Sequence, residues 1–304
     1  MKKDLLSIGD LTLQEIEELF KRTDQLKKNK KKFASVLTGK TLALIFQKPS
    51  NRTRVSFSVG MYQLGGNTTY LSPGEINLGV RESISDVAKT LSRYVDGIVL
   101  RTFEHKNCLE MAGAASVPVI NGLSDYSHPC QALADLYTAR EKFGTVKGKT
   151  LAYVGDGNNV CNSLIFICAK VGMHMNIGTP KGYEPLPGVL AEAALIAQAS
   201  GARIRVTNSA VDAACGADVL YTDVWASMGQ ETEAAKRKLD FKDFQINMEL
   251  VKKANKDVVI MHCLPAHRGE EISAEAIDSA NSVVFDEAEN RMHVQKAVLI
   301  KLLQ

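Results

Sequence analysis

Apolar residues recur along this chain in two alternating rhythms. Runs such as Thr41-Leu42-Ala43-Leu44-Ile45-Phe46 and Thr150-Leu151-Ala152-Tyr153-Val154 are almost continuously apolar or β-branched, as strands buried on both faces are. Between such runs lie longer stretches with apolar positions three and four apart. Thr12-Leu13-Gln14-Glu15 opens the first of these with a capping-box pattern, and Ile16 and Phe20 follow at helical spacing. The pattern predicts strands near 41–46, 67–71, 97–100, 117–121, 150–154, 173–177, 203–206, 218–222, 258–261 and 282–285. It predicts helices over 83–94, 129–142, 159–171, 188–199 and 288–303. Alternation of this kind predicts an α/β fold with parallel sheets.

Size turns one fold into two. With 304 residues the chain can fill two cores. Phe143-Gly144-Thr145-Val146-Lys147-Gly148-Lys149 carries two glycines after a long helix and is the expected boundary. The expectation is therefore two doubly wound domains, residues 1–143 and 144–287, each with a central parallel sheet, and an active site in the cleft between them. The last helix, 288–304, carries Val294, Ala297, Val298 and Leu302 and is expected to pack back on the first domain.

Charge and cysteine usage exclude some classes. A net charge of +3 is too small to imply nucleic acid. The basic cluster Lys27-Lys28-Asn29-Lys30-Lys31-Lys32 closes a helix, where cations suit the negative pole of the dipole. Met1 to Leu6 lack the apolar core of a signal peptide, and no window is apolar enough to span a bilayer, so a cytoplasmic location is expected. The six cysteines form no C-x-x-C pair, and most are expected to act as small buried hydrophobes, with Cys263 the exception.

Candidate chemistry gathers just past the predicted strand ends, where open α/β sheets bind ligands. Ser50-Asn51-Arg52-Thr53-Arg54 follow the strand 41–46, Arg101-Thr102 the strand 97–100, and His128 to Gln131 the strand 117–121. Asn158-Asn159, Asp223 with Ser227-Met228-Gly229, His262 to Pro265, and Arg291 follow four more. Any one of these could be an ordinary polar loop. Together they supply four arginines, two histidines and a lone aspartate at one sheet edge, the composition of a site for an anionic substrate. Ser50 suits an N-cap, and a helix N-terminus beside hydroxyls and a guanidinium suits a phosphate; a plain helix start with solvated arginines is the alternative. Arg52, Arg101 and Arg291 could share one di-anion. His128 could donate to a carbonyl or phosphate oxygen, or simply cap a helix. Asp223 could hold an ammonium group, or close a turn.

Two cofactor readings are weaker. His262-Cys263 with His267 matches no common zinc spacing, so no metal is expected. Gly155-Asp156-Gly157 begins a dinucleotide fingerprint, but Val160 stands at the third glycine and the strand 173–177 ends without an acid. A nicotinamide-dependent oxidoreductase on the same sheet type is the reading from a different class, and no organic cofactor is expected.

The motifs Ser50 to Arg54, His128-Pro129-Cys130-Gln131, Asp223-Val224-Trp225-Ala226-Ser227-Met228-Gly229 and His262-Cys263-Leu264-Pro265 resemble, in order and over essentially the whole chain, those of the aspartate/ornithine carbamoyltransferase family. The last two resemble the ornithine type. The resemblance implies transfer of the carbamoyl group of carbamoyl phosphate to the δ-amine of L-ornithine, giving citrulline and phosphate, without metal or organic cofactor. It implies that Ser50, Asn51, Arg52 and Thr53 hold the phosphate, that Arg101 and His128 reach the carbonyl side, and that Arg291 completes the anion site. Gln131 and the Leu264 backbone would hold the carbamoyl amide, with Cys263 beside the attacking amine. Asn159, Asp223, Ser227 and Met228 would bind ornithine, which makes Arg101, His128, Cys263 and Asp223 the implied catalytic group. Family members are trimers or multiples of trimers. Asn77, in the loop Asn77 to Ser83, would meet the phosphate of a neighbouring subunit. Asn51 and Asn77 depart from the residues many members carry there. Within the family, a putrescine carbamoyltransferase is the alternative; it would have no use for a Ser-Met-Gly loop that holds a carboxylate.

Overall fold

The computed structural model describes residues 3–227 and 229–304. They form two compact units. The first comprises residues up to Ala134 together with Glu289–Gln304, and the second is Asp135–Ala288. Two helices therefore begin in one unit and end in the other. No helix among the described residues is long and apolar enough to cross a membrane.

The first unit holds a parallel sheet of β1 (Thr41–Phe46), β2 (Asn67–Leu71), β3 (Gly97–Arg101) and β4 (Val119–Leu123) in the order β2-β1-β3-β4. The second unit holds β5 (Thr150–Val154), β6 (His174–Gly178), β7 (Ile204–Thr207), β8 (Val219–Thr222) and β9 (Val259–His262) in the order β7-β6-β5-β8-β9, again parallel. The helices of seven or more residues are α1 (Leu13–Lys28), α2 (Asn51–Gln63), α3 (Ile84–Leu91), α4 (His105–Ala114), α5 (Pro129–Phe143), α6 (Asn159–Val171), α7 (Pro187–Ser200), α8 (Ala234–Asp240) and α9 (Val284–Leu303).

Local sequence explains the starts of these elements. Thr12 caps α1 through the reciprocal box with Glu15. Ser50 caps α2, and Asn158 caps α6 by accepting the amides of Val160 and Cys161. Each sheet buries its apolar strands beneath helices. Ala43, Ile45, Ile98 and Leu100 pack with Val87 and Met111 in the first unit. Ala152, Val154, Leu220 and Ile260 pack with Trp225, Phe241 and Ile272 in the second.

The expected strand at 282–285 is not formed. Ser282 makes a single bridge to Ile260, and the Val283 amide donates to the Ile260 carbonyl, so the chain does lie beside β9 there. Val284 then starts α9, and the Glu287 amide bonds back to the Val283 carbonyl. A buried Val-Val pair reads the same in a short strand and in the first turn of a helix. The second sheet accordingly has five strands. Within the first unit, Val294 and Val298 of α9 are fully buried, and Gly60 of α2 lies so near α9 that an added Cβ would sit 3.3 Å from Lys296 Cγ.

Strand order fixes where ligands can bind. In the first sheet the winding reverses between β1 and β3, and in the second between β5 and β8. Each reversal splays the following loops apart and opens a crevice at the carboxyl ends of those two strands. Both crevices lie where the polar motifs of the sequence fall.

Candidate active site

The crevice of the first unit is built around Thr53. Beyond β1, Ser50 turns the chain into α2; its Oγ accepts the Thr53 amide at 3.3 Å and donates to Thr53 Oγ1 at 3.1 Å. Arg101 ends β3, and the register that pairs it with Phe46 of β1 brings its guanidinium to the same place. Arg101 Nη1 lies 3.5 Å and Arg291 Nη2 3.2 Å from Thr53 Oγ1. Arg291 Nη1 donates to Gln131 Oε1 at 2.7 Å, which ties α9 to the first turn of α5. Arg101 is 8% and Arg291 5% exposed. The bonds of Arg291 thus go to uncharged oxygens, and its Nε is buried with no partner among the described residues. A guanidinium so arranged leaves its charge for a ligand to balance.

His128 stands just ahead of α5 and is buried beside this cluster. Burial, then the positive fields of Arg291, Arg101 and Arg52, hold its imidazole well below the ordinary histidine range. It is therefore neutral at pH 7 and can donate one hydrogen bond without bringing a further charge. The same fields place Arg52 among the groups of this crevice. Other members of the Ser50–Arg54 motif point elsewhere. Arg54 stacks on Tyr70 at 3.9 Å, and Asn51 is exposed. Asn77 is exposed too, in left-handed conformation at φ 40, and none of the bonds of the Thr53 cluster reaches it.

The crevice of the second unit is built around Asp223, just past β8. Its Oδ1 accepts the Val224 amide at 2.8 Å and the Cys263 thiol at 2.9 Å; its Oδ2 accepts Asn158 Nδ2 at 2.7 Å. Thr222 pairs with His262 across β8 and β9, so the residues after them, Asp223 and Cys263, emerge side by side. Asn158 was not among the residues singled out as ligand-binding. Its type marks an N-cap, and its Oδ1 does cap α6 while also accepting the Tyr153 hydroxyl at 3.2 Å. That use of the oxygen turns the amide nitrogen to Asp223. Asn159 accepts the Val160 amide at 3.0 Å, and the Ser227 amide donates to Gln230 Oε1 at 2.9 Å. Met228 lies outside the described residues. The loop after β8 is pinned by Arg237, which donates to the Trp225 carbonyl at 2.9 Å and to Asp156 at 3.0 Å. Burial pushes the Asp156 carboxyl up to about 6 despite that partner.

Cys263 has the wrong environment for a nucleophile. Burial, then the adjacent Asp223 carboxylate, push its thiol well above the usual cysteine range. It remains S–H and donates to Asp223. Leu264 follows with φ 54, an uncommon angle for a side-chain-bearing residue.

Two trios of residues bring possible metal-ligand atoms within 4.8 Å: Asp223, His262 and Cys263, and His267, Glu270 and Glu271. Hydrogen bonds already use several of these atoms. His262 accepts the Leu264 amide at Nδ1 and meets Glu271 at Nε2, and Glu270 pairs with Lys238 at 2.7 Å. The glycines at 155–157 also have a local cause. A Cβ on Gly157 would fall 2.4 Å from the Pro185 nitrogen, so the chain after β6, rather than a dinucleotide, demands that glycine.

The whole chain, both crevices included, is similar in sequence and fold to known proteins. Residues 3–141 match the family model described as the aspartate/ornithine carbamoyltransferase carbamoyl-P binding domain, and residues 147–302 match its Asp/Orn binding domain. The chain belongs to the aspartate/ornithine carbamoyltransferase family. Among curated members, the ornithine carbamoyltransferase of Thermococcus kodakarensis is 54% identical over 299 residues, covering 98% of this chain and 95% of that protein. That of Pyrococcus horikoshii is 54% identical over 303 residues, covering 99% and 96%. The solved ornithine carbamoyltransferase of Pyrococcus furiosus superposes with a TM-score of 0.96 at 52% identity, covering 99% of this chain and 96% of that one.

The thiol environment gives a direct check on the family site in this chain. Iodoacetamide at pH 8 should alkylate exposed Cys215 well before Cys263, as read by peptide mass spectrometry. Equal rates at the two positions would contradict the protonated, half-buried thiol.

Proposed function

We propose that this protein transfers the carbamoyl group of carbamoyl phosphate to the δ-amine of L-ornithine, forming L-citrulline and releasing phosphate. The observation that carries this reading is that the first unit holds a buried arginine cluster and the second an amide- and thiol-bound aspartate. The first suits an acyl phosphate, the mixed anhydride of a carbamic and a phosphoric acid, and the second suits an ammonium group.

The phosphate sits at the N-terminus of α2, bound by Ser50, Arg52 and Thr53 with backbone amides up to Asn51, where the free N–H groups and the dipole favour an anion. Arg291 completes its neutralisation. Arg101 and neutral His128 donate to the carbonyl oxygen. Gln131 and the Leu264 backbone hold the carbamoyl nitrogen. Asp223 pairs with the α-ammonium of ornithine, Asn159 and the Ser227–Met228 segment hold its α-carboxylate end, and Cys263 lies beside the δ-amine.

The δ-amine attacks as the free base, although an alkylammonium has a pKa of about 10.4 in water. Desolvation and the positive field of the arginines favour the neutral form. As the C–N bond forms, the carbonyl electron pair moves to oxygen, where Arg101, His128 and the Thr53 hydroxyl stabilise it. Each donor of this kind is worth about 2.7–4 kcal/mol. The pair then returns, the C–O bond to phosphate breaks, and the amine proton is lost to the departing phosphate or to water. Arg52 and Arg101 balance the charge of the leaving group.

We further propose a cytoplasmic homotrimer, or a multiple of one, in which the Asn77 turn of one chain serves the phosphate of the next. Val55, Val59 and Tyr62 form an exposed apolar stripe on α2, β2 is an edge strand, and Val80 is exposed in the Asn77 turn. An apolar stripe beside an open edge is a surface that a second copy would cover. Sedimentation should give a species of three times 33.1 kDa or a multiple of it; a monomer at micromolar concentration would overturn this part.

Purified protein with carbamoyl phosphate and ornithine should release phosphate and citrulline in equal amounts. Putrescine or aspartate in place of ornithine should give far less, and a preference for putrescine would overturn the assigned acceptor. Arg52→Gly should weaken inorganic phosphate by about 10- to 100-fold, the value of a charged hydrogen bond. Asp223→Asn should leave phosphate binding intact and raise the ornithine KM about tenfold or more. An unchanged ornithine KM would contradict the ammonium role.

A further inference from the structure

The loop Cys263 to Ala266 is closed by a side chain that lies outside it. Glu271 is fully buried, in a turn stabilised by the Gly269 amide bonding to the Ile272 carbonyl and by Gln245 Nε2 donating to the carbonyls of Gly269 and Glu270. One of its carboxylate oxygens, Oε1, accepts from His262 Nε2 at 3.1 Å and also from the His267 amide. These two donors flank the loop, so a single oxygen pinches it at both ends.

The consequence reaches Leu264 through His262. Nδ1 of that ring accepts the Leu264 amide at 2.9 Å and so carries no proton. Nε2 must then carry the proton that Glu271 receives, which fixes one neutral tautomer. The ring cannot rotate without losing both bonds, since each nitrogen has a single role. Its backbone is fixed as well, because the His262 amide donates to Glu287 Oε2 at 2.9 Å. Leu264 is thereby held at φ 54, a region it would leave if its amide were free. Orientation of that peptide sets where the Leu264 carbonyl points.

We propose that Glu271 is a positioning residue for the reaction: through His262 it aims the Leu264 carbonyl at the carbamoyl nitrogen and the Cys263 thiol at Asp223. This rests on the Leu264 role given above. Glu271 touches no substrate, and its effect passes through two hydrogen bonds. The other oxygen, Oε2, is buried with no hydrogen-bond partner among the described residues and lies 4.0 Å from His267 Nδ1. An amide in place of the carboxylate keeps the acceptor at Oε1 and turns its nitrogen toward that ring.

The test compares Glu271→Ala and Glu271→Gln with wild-type protein. In Glu271→Ala, kcat/KM for carbamoyl phosphate should fall about tenfold or more, while the inhibition constant of inorganic phosphate, a ligand of the first unit, stays within about twofold. Glu271→Gln should recover most of the loss. Wild-type kcat/KM in Glu271→Ala would overturn the proposal, and so would a parallel weakening of phosphate, which marks general loosening. Nitrogen-15 NMR of the imidazoles, with His262 assigned by its absence in His262→Asn, gives a readout independent of turnover. Wild type and Glu271→Gln should show the Nε2–H tautomer at His262; the Nδ1–H tautomer in wild type overturns the clamp even if Glu271→Ala does not fold. Absence of citrulline formation by wild type would fall on the proposed function instead, with the tautomer still deciding the clamp.

Discussion

The Arg291 guanidinium, buried with its hydrogen bonds on uncharged oxygens, is the constraint on which the first unit depends. Thr53 Oγ1 and Gln131 Oε1 satisfy the geometry of Arg291 but not its charge. Taking a cation out of water costs several kcal/mol after relaxation, and a neutral acceptor returns only part of it. An entering di-anion offsets that cost, so the desolvation of the guanidinium becomes affinity for the anion. The surrounding architecture serves this cluster. The Ser50 cap fixes Thr53, β1–β3 pairing delivers Arg101, and α9 carries Arg291 into the first unit. His128 stays neutral because it is buried and because the cluster is already positive.

The second unit inverts the same logic. Asp223 is a carboxylate whose bonds come from an amide side chain, a backbone amide and a thiol, none of them charged. An ammonium group is the ligand such a carboxylate lacks. The thiol belongs to this arrangement as a donor, which is why the neighbouring carboxylate raises its pKa instead of activating it. Two sheets with reversed winding thus present two crevices of opposite charge demand, one for each substrate proposed.

Much of this was legible in the sequence because it is local. Strand periodicity, the Ser50 and Thr12 caps, and polar residues placed past strand ends all act within a few positions of one another. The reading faltered where identity and neighbourhood part company. Val283-Val284 is apolar in either conformation, and only the Ile260 bridge followed by the first turn of α9 decides it. Asn158 reads in the sequence only as a polar residue past a strand end, because its amide partner lies 65 residues away. Glu271 carries no local mark in the sequence; its burial is a property of the fold alone. Arg54 and Asn51 share the motif with Arg52 and Thr53, yet helical geometry turns them away from the cluster.

The central claim is that the Thr53 cluster is built for an anion. Calorimetric titration of inorganic phosphate into wild-type protein and into Arg291→Met tests it most directly. The account predicts saturable binding by wild type and an affinity about tenfold or more weaker in the variant. Equal affinity in the two proteins would contradict it.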